Sequence, residues 1–208
     1  MIDYLGLIDK YYAQAPELRH ILVTHSRQVA DRALRIVDAH PQWTEQGLVD
    51  RQFIEEAAML HDIGMIGVSD DIIYKVEKLD DKDWAEIKNH VRHGVRILED
   101  IKQLKDVVEL IKYHHEFYNG NGYPAGLAGD AIPLGSRIIA IADAYDAMIS
   151  TRAYRQPRSE EQAIEILHNM RGIQFDPDLV EVFDSIIDEA RAELKKYEAE
   201  HQNSTENQ

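Results

Sequence analysis

Residues 17–41 read ELRHILVTHSRQVADRALRIVDAHP. Leu22, His25, Val29, Ala33 and Ile36 recur at steps of three and four. That period puts them on one face of an α-helix, and Pro41 ends the run. The stretch decides the fold class because the same period recurs along the chain. It also poses the functional question, since a titratable ring, His25, stands inside the apolar stripe.

Working outward, a second helix is expected over about 50–62, with Ile54, Ala58 and His61 in line. Residues 63–80 suggest a loop with a short helical turn. A helix over about 81–101 turns Ile87, Val91, Gly94 and Leu98 inward, and one over about 104–116 does so with Leu104, Val107, Val108 and Ile111. A Gly/Pro-rich loop fills 119–135. A further helix begins near Leu134 and carries Ile138, Ile139, Ala142 and Met148. Ser159 with Gln162 forms a capping-box pattern. Asp176-Pro177 opens a last helix to about 200. The expectation is one all-α bundle over residues 17–200. A helical extension precedes it at 1–16, and a polar, disordered tail follows at 201–208. No alternating strand and no repeat is visible.

Composition narrows the function. The 208 residues suit one core, and 44% of them are hydrophobic. A formal charge of −15 repels polymeric nucleic acid. It leaves room for a small phosphorylated ligand held by a few arginines or metal ions. The absence of cysteine removes disulfides, thiolate catalysis and zinc-thiolate sites. No apolar run is long enough to span a membrane, and no basic leader is evident, so a cytoplasmic location is expected.

The inward residues carry the chemistry. His25, His61 (followed by Asp62), His90, and His114 with His115 fall on or beside apolar faces. Asp143 and Asp146 lie on the stripe begun by Ile139. A lone inward histidine is ordinarily a satisfied core residue. Five histidines and two aspartates spread over five helices would make a poor core unless they meet. Neutral imidazole and carboxylate suit first-row divalent metals, so iron, manganese, zinc and nickel all fit. His20, His40, His93, His168 and His201 are read as surface or structural residues.

The order His25, His61-Asp62, His90, His114-His115-Glu116, Asp143 resembles the HD-domain metal-dependent phosphohydrolases. The segment HHEFYNGNGYPAGLAGDAIPLGSRIIAIADAYDAMISTRAYR, residues 114–155, resembles the HD-GYP subgroup, bacterial phosphodiesterases for cyclic di-GMP. The likeness spans roughly residues 20–185. It implies an HD-domain helical bundle with two divalent metal ions in its core, iron or manganese by resemblance. His25, His61, Asp62 and Asp143 would hold one ion. His90, His114 and His115 would hold the second, with Asp62 bridging. Glu116 would orient a ligand, and Asp62 and Glu116 are the implied catalytic pair. Tyr123 would line the guanine or ribose side, and Arg152 and Arg155 would meet substrate phosphates. Two such ions activate water and offset charge on phosphoryl oxygens during in-line attack.

Three positions depart from the family pattern. Met65 in HDIGM stands where the family has lysine, Asn119 where the loop usually has aspartate, and Ile21 where some members have a glutamate that permits a third metal. Met65 can supply neither charge nor a hydrogen-bond donor to a phosphate. Three functions follow as expectations. The first is hydrolysis of cyclic di-GMP to linear dinucleotide or GMP. The second is hydrolysis of another nucleotide or phosphate ester. The third is a metal-bound module that binds a cyclic dinucleotide without turnover. The cyclic dinucleotide is the expected partner, and a homodimer or a signalling partner is compatible with the sequence.

Overall fold

The computed structural model describes residues 3–150 and 156–205, with side chains through residue 193. Its helices are α1 (Tyr4–Tyr12), α2 (Pro16–Asp38), α3 (Pro41–Glu45), α4 (Arg51–Leu60), α5 (Asp70–Ile73), α6 (Asp81–Lys88), α7 (His90–Leu98), α8 (Lys105–Tyr113), α9 (Leu134–Ile149), α10 (Glu160–Asn169) and α11 (Pro177–Thr205). A 3-10 turn, Ile63–Gly67, follows α4. Among the described residues there is no strand, only isolated bridges such as Asn119 with Ala128. The all-α expectation holds. No helix among those described is long and apolar enough to cross a membrane.

The long α2 is the spine. It packs on α4 and α9, α4 packs on α8, and the 3-10 turn packs on α7. The predicted apolar inward residues of α2 are buried, with Val29, Ala33 and Ile36 wholly enclosed, and His25 among them is half-buried. Local chemistry fixes the helix starts. The Asp50 carboxylate accepts from the Gln52 and Phe53 amides at the head of α4. Asp80 and Asp83 form a capping box on α6, and Ser159 and Gln162 form the expected one on α10.

Four segments differ from expectation. The helix expected over 81–101 breaks at Asn89 into α6 and α7. There the Asn89 amide steps back to the Glu86 carbonyl (3.0 Å), and the Ile87 carbonyl receives the His90 ring (2.7 Å). Pro41, which ends α2's stretch, also opens the short α3, because proline suits a first helical position. α11 continues through Thr205, five residues beyond its expected end. The leading helix α1 is built into the core: Ile8 and Tyr12 are fully buried, and the Tyr12 hydroxyl donates to the Ile63 carbonyl at 3.0 Å.

Candidate metal centre

Three helices end at the same place. His61 caps the C-terminus of α4, His114 caps that of α8, and His90 follows the cap of α6. The last carbonyls of a helix have no partner within it. Here they orient imidazoles. His61 Nδ1 donates to Ala58 O at 2.7 Å, His90 Nδ1 to Ile87 O at 2.7 Å, and His114 Nδ1 to Ile111 O at 2.5 Å. A carbonyl can only accept, so each Nδ1 carries the proton and each Nε2 presents a lone pair. His25, on α2, achieves the same with a carboxylate, its Nδ1 lying 2.6 Å from Asp146 Oδ2.

The four Nε2 atoms of His25, His61, His90 and His114 are buried and have no hydrogen-bond partner. Leaving four such groups dry and unpaired is costly, and a cation among them removes the cost. Their grouping suits one. Ligand atoms of His25, His61 and Asp62 lie within 4.8 Å of one another, and so do those of His90, His114 and His115. Asp62 stands between the groups. Its Oδ2 is 3.8 Å from His25 Nε2 and 3.5 Å from His61 Nε2, while its Oδ1 is 3.4 Å from His90 Nε2. Asp143 on α9 adds Oδ1 to the first group, 3.1 Å from His25 Nε2 and 3.9 Å from His61 Nε2. All seven residues read as ligands from the sequence therefore meet in one centre. The donor set of imidazole and carboxylate can hold divalent first-row metal.

Electrostatics favour the ligating protonation states. Burial pushes His115 down to about 4, reinforced by His90, so it is neutral at physiological pH. Burial and the neighbouring rings drive His114 down as well. Burial works to raise Asp62 and Asp143, but the surrounding imidazoles outweigh it and hold both below the usual carboxylate range. His25 is the exception: burial would lower it, but the Asp143 and Asp146 carboxylates reverse that and raise it to about 10, so without a metal it is an imidazolium whose Nε2 proton an arriving cation must displace.

Other predicted residues land differently. Glu116 is buried, and its carboxylate accepts from the amides of Ala125 (2.6 Å), Gly126 (3.0 and 3.1 Å) and Leu127 (3.1 Å). Both oxygens are thus bound to the amides that follow the GYP segment, so the contacts of Glu116 go to the loop and not to a metal-ligating side chain. Tyr123 does stand at the centre. Its amide donates to His115 O at 3.1 Å, and its ring lies 4.9 Å from the His115 ring. Arg152 and Arg155 lie outside the described residues. Met65 is half-buried against the core, Asn119 turns its side chain onto the Asn121 amide (3.0 Å), and Ile21 is exposed.

Of the remaining histidines, His40 stacks on Trp43 and His168 pairs with Asp184 at 2.6 Å. Two residues of the centre were not assigned from sequence. Asp146 fixes the His25 ring, and Arg32 fixes Asp146 through a 2.9 Å bond to Oδ1. The signal was partial: Asp146 falls one turn after Asp143 on the inward stripe, but Arg32 looks like any charge on a helix.

The sequence matches the HD domain family over residues 18–179. The chain belongs to the HD-domain family. Its HHE and GYP segments assign this HD-domain protein to the HD-GYP subgroup. It is 37% identical over 173 residues to a probable cyclic di-GMP phosphodiesterase of Vibrio cholerae, covering 79% of this chain and 39% of the relative. It is 41% identical over 135 residues to a 3'3'-cGAMP-specific phosphodiesterase of the same organism, covering 64% of this chain and 26% of the relative. The chain therefore spans well under half of either relative. Among solved structures, an HDGYP protein from Bdellovibrio bacteriovorus superposes with a TM-score of 0.63 at 20% identity, over 80% of this chain and 52% of that one. That likeness concerns the fold.

Proposed function

We propose that this HD-domain chain is a two-metal phosphodiesterase acting on a cyclic dinucleotide, with cyclic di-GMP the lead substrate. The observation that carries the reading is Asp62, whose two oxygens face two separate imidazole groups. His25, His61, Asp62 and Asp143 would hold one ion, and His90, His114, His115 and Asp62 the other. Iron and manganese are the lead metals. Bound there, two divalent ions would supply an activated water and offset charge on the phosphoryl oxygens.

The chain's own residues do the remaining work. Asp146 holds His25 in its ligating orientation, and Glu116 holds the loop that carries Tyr123 beside His115. The Tyr123 ring offers a flat wall for a base or ribose. Arg152 and Arg155 are proposed phosphate contacts.

The test is turnover of cyclic di-GMP by protein purified anaerobically, loaded with iron or manganese and assayed for metal. Linear dinucleotide or GMP should appear with wild type. Asp62→Ala should lose both metals and all product. Full metal occupancy in that variant would overturn the ligand assignment.

A second substrate reading has its own support. Met65 removes the family's lysine, and one similar protein is named for 3'3'-cGAMP. Side-by-side turnover of the two cyclic dinucleotides decides it by kcat/KM. Tight binding of either without product, in metal-replete protein, would instead favour a binding module, and Met65→Lys is then the variant to assay.

A further inference from the structure

α6 and α7 carry a line of cations on the face away from the metal ligand His90. Lys88, Arg92 and Arg96 recur every four residues. Asn89 keeps helical dihedrals (φ −67°, ψ −14°), so the register passes through the break. Arg92 and Arg96 border a groove of about 560 Å³, closed by Lys112 from α8 and floored by Val91, Val95 and Pro124.

Arg92 and Arg96 are two of four described arginines, with Arg27 and Arg158, that form no ion pair among the described residues. Seven described arginines, at 19, 32, 35, 51, 137, 171 and 191, are each within reach of a carboxylate. In a protein of net charge −15, Arg92, Arg96 and Lys112 have no carboxylate partner among the described residues. Lys88 is likewise without a carboxylate, its Nζ lying 5.2 Å over the Tyr123 ring.

We infer that this groove is a second binding site for a small phosphorylated anion, separate from the metal centre. Two guanidiniums one turn apart offer forked donors that fit phosphate oxygens in pairs. The valine and proline floor suits the flat face of a base or sugar. The volume lies in the range of small-ligand pockets, roughly 300–1,000 Å³. The strongly negative net charge disfavours a long polyanion, so the occupant is a nucleotide-sized molecule. The groove shares a wall with the metal centre. Pro124 lines it, and the adjacent Tyr123 lies on the ligand His115. An occupant would therefore bear on the loop that closes the catalytic side.

The test is equilibrium binding of GMP, with inorganic phosphate as a parallel probe, to metal-loaded wild type, Arg92→Ala/Arg96→Ala, Lys112→Glu and Asp62→Ala. Circular dichroism checks that each variant is folded. GMP binding should persist in Asp62→Ala and weaken about tenfold or more in the double arginine variant. Lys112→Glu, a single exposed change, should weaken it as well and keep both metals. Phosphate binding as tight as GMP would mean that the charged groups alone supply the affinity. Binding lost only in Asp62→Ala, binding unchanged in both groove variants, or no binding at millimolar GMP would each overturn the site.

Discussion

Asp146 is the residue whose work is most separable from its neighbours. It touches no ligand atom of the second metal group, yet its Oδ2 takes the His25 Nδ1 proton at 2.6 Å and its Oδ1 takes Arg32 at 2.9 Å. Removing an acceptor behind a metal-ligating histidine typically costs about 10–100-fold in metal affinity. Asp146→Ala should therefore weaken one of the two metal sites by about that factor and spare the other, while Asp146→Asn, which keeps an acceptor oxygen, should recover part of the loss. Metal titration of the two variants reads this directly, and equal loss of both metals would refute it. Glu116 makes the opposite case. Its carboxylate is occupied by three loop amides. Glu116→Gln should keep both metals but raise KM several-fold, since bonds to a charged acceptor contribute about 1.5–3 kcal/mol each. Loss of metal from that variant would return Glu116 to the metal centre.

The elements bring these residues together by ending where they do. Helix periodicity made the inward faces legible in the sequence, and with them the five histidines, Asp143 and Asp146, because an apolar stripe says which way a side chain points; the candidate ligand set, Asp62 included, came only through the family resemblance. It could not show that the carbonyls of Ala58, Ile87 and Ile111 would orient three of those rings, since that depends on where a helix stops. For the same reason the break at Asn89 was invisible, and Glu116, adjacent to a histidine pair, suggested a metal role when its partners lie nine to eleven residues ahead. The contact between the 3-10 turn and α7 is the tightest expression of this arrangement. A Cβ on Gly64 would lie 2.0 Å from the His90 carbonyl oxygen and 2.3 Å from the Gly94 amide, both backbone atoms. Gly64→Ala must push α7 away, at a cost of about 1–3 kcal/mol, and displace His90 with it. Across the same interface a Cβ on Gly94 would meet nothing nearer than 3.6 Å. Gly94→Ala should then be neutral or stabilising by up to about 1 kcal/mol, as alanine favours helix. Thermal melts of the pair, with metal content, check the asymmetry, and two equal losses would contradict it.

At the scale of the whole molecule the candidate metal centre is a joint between helices as much as the proposed reaction site. His25 comes from α2, His61 and Asp62 from the end of α4, His90 from α7, His114 and His115 from the end of α8, and Asp143 from α9. Without ions, the chain brings four unpartnered imidazole nitrogens and two carboxylates into one buried cluster, which opposes the packing of these same helices. Ligands that bind only the folded state stabilise it by mass action, by about 2.7 kcal/mol per site at a hundredfold excess over Kd. For a domain of this size each kcal/mol moves Tm by about 2–4 °C, so two filled sites should raise it by about 10 °C or more. Chelation of the loaded protein should lower Tm by that amount, and resupply of manganese should restore it. Asp62→Ala, which removes the ligand common to both groups, should melt at nearly one temperature with or without metal. A chelated protein that has lost its metal yet melts where the loaded one does would show that the helices close without the ions, and the centre would then serve chemistry alone.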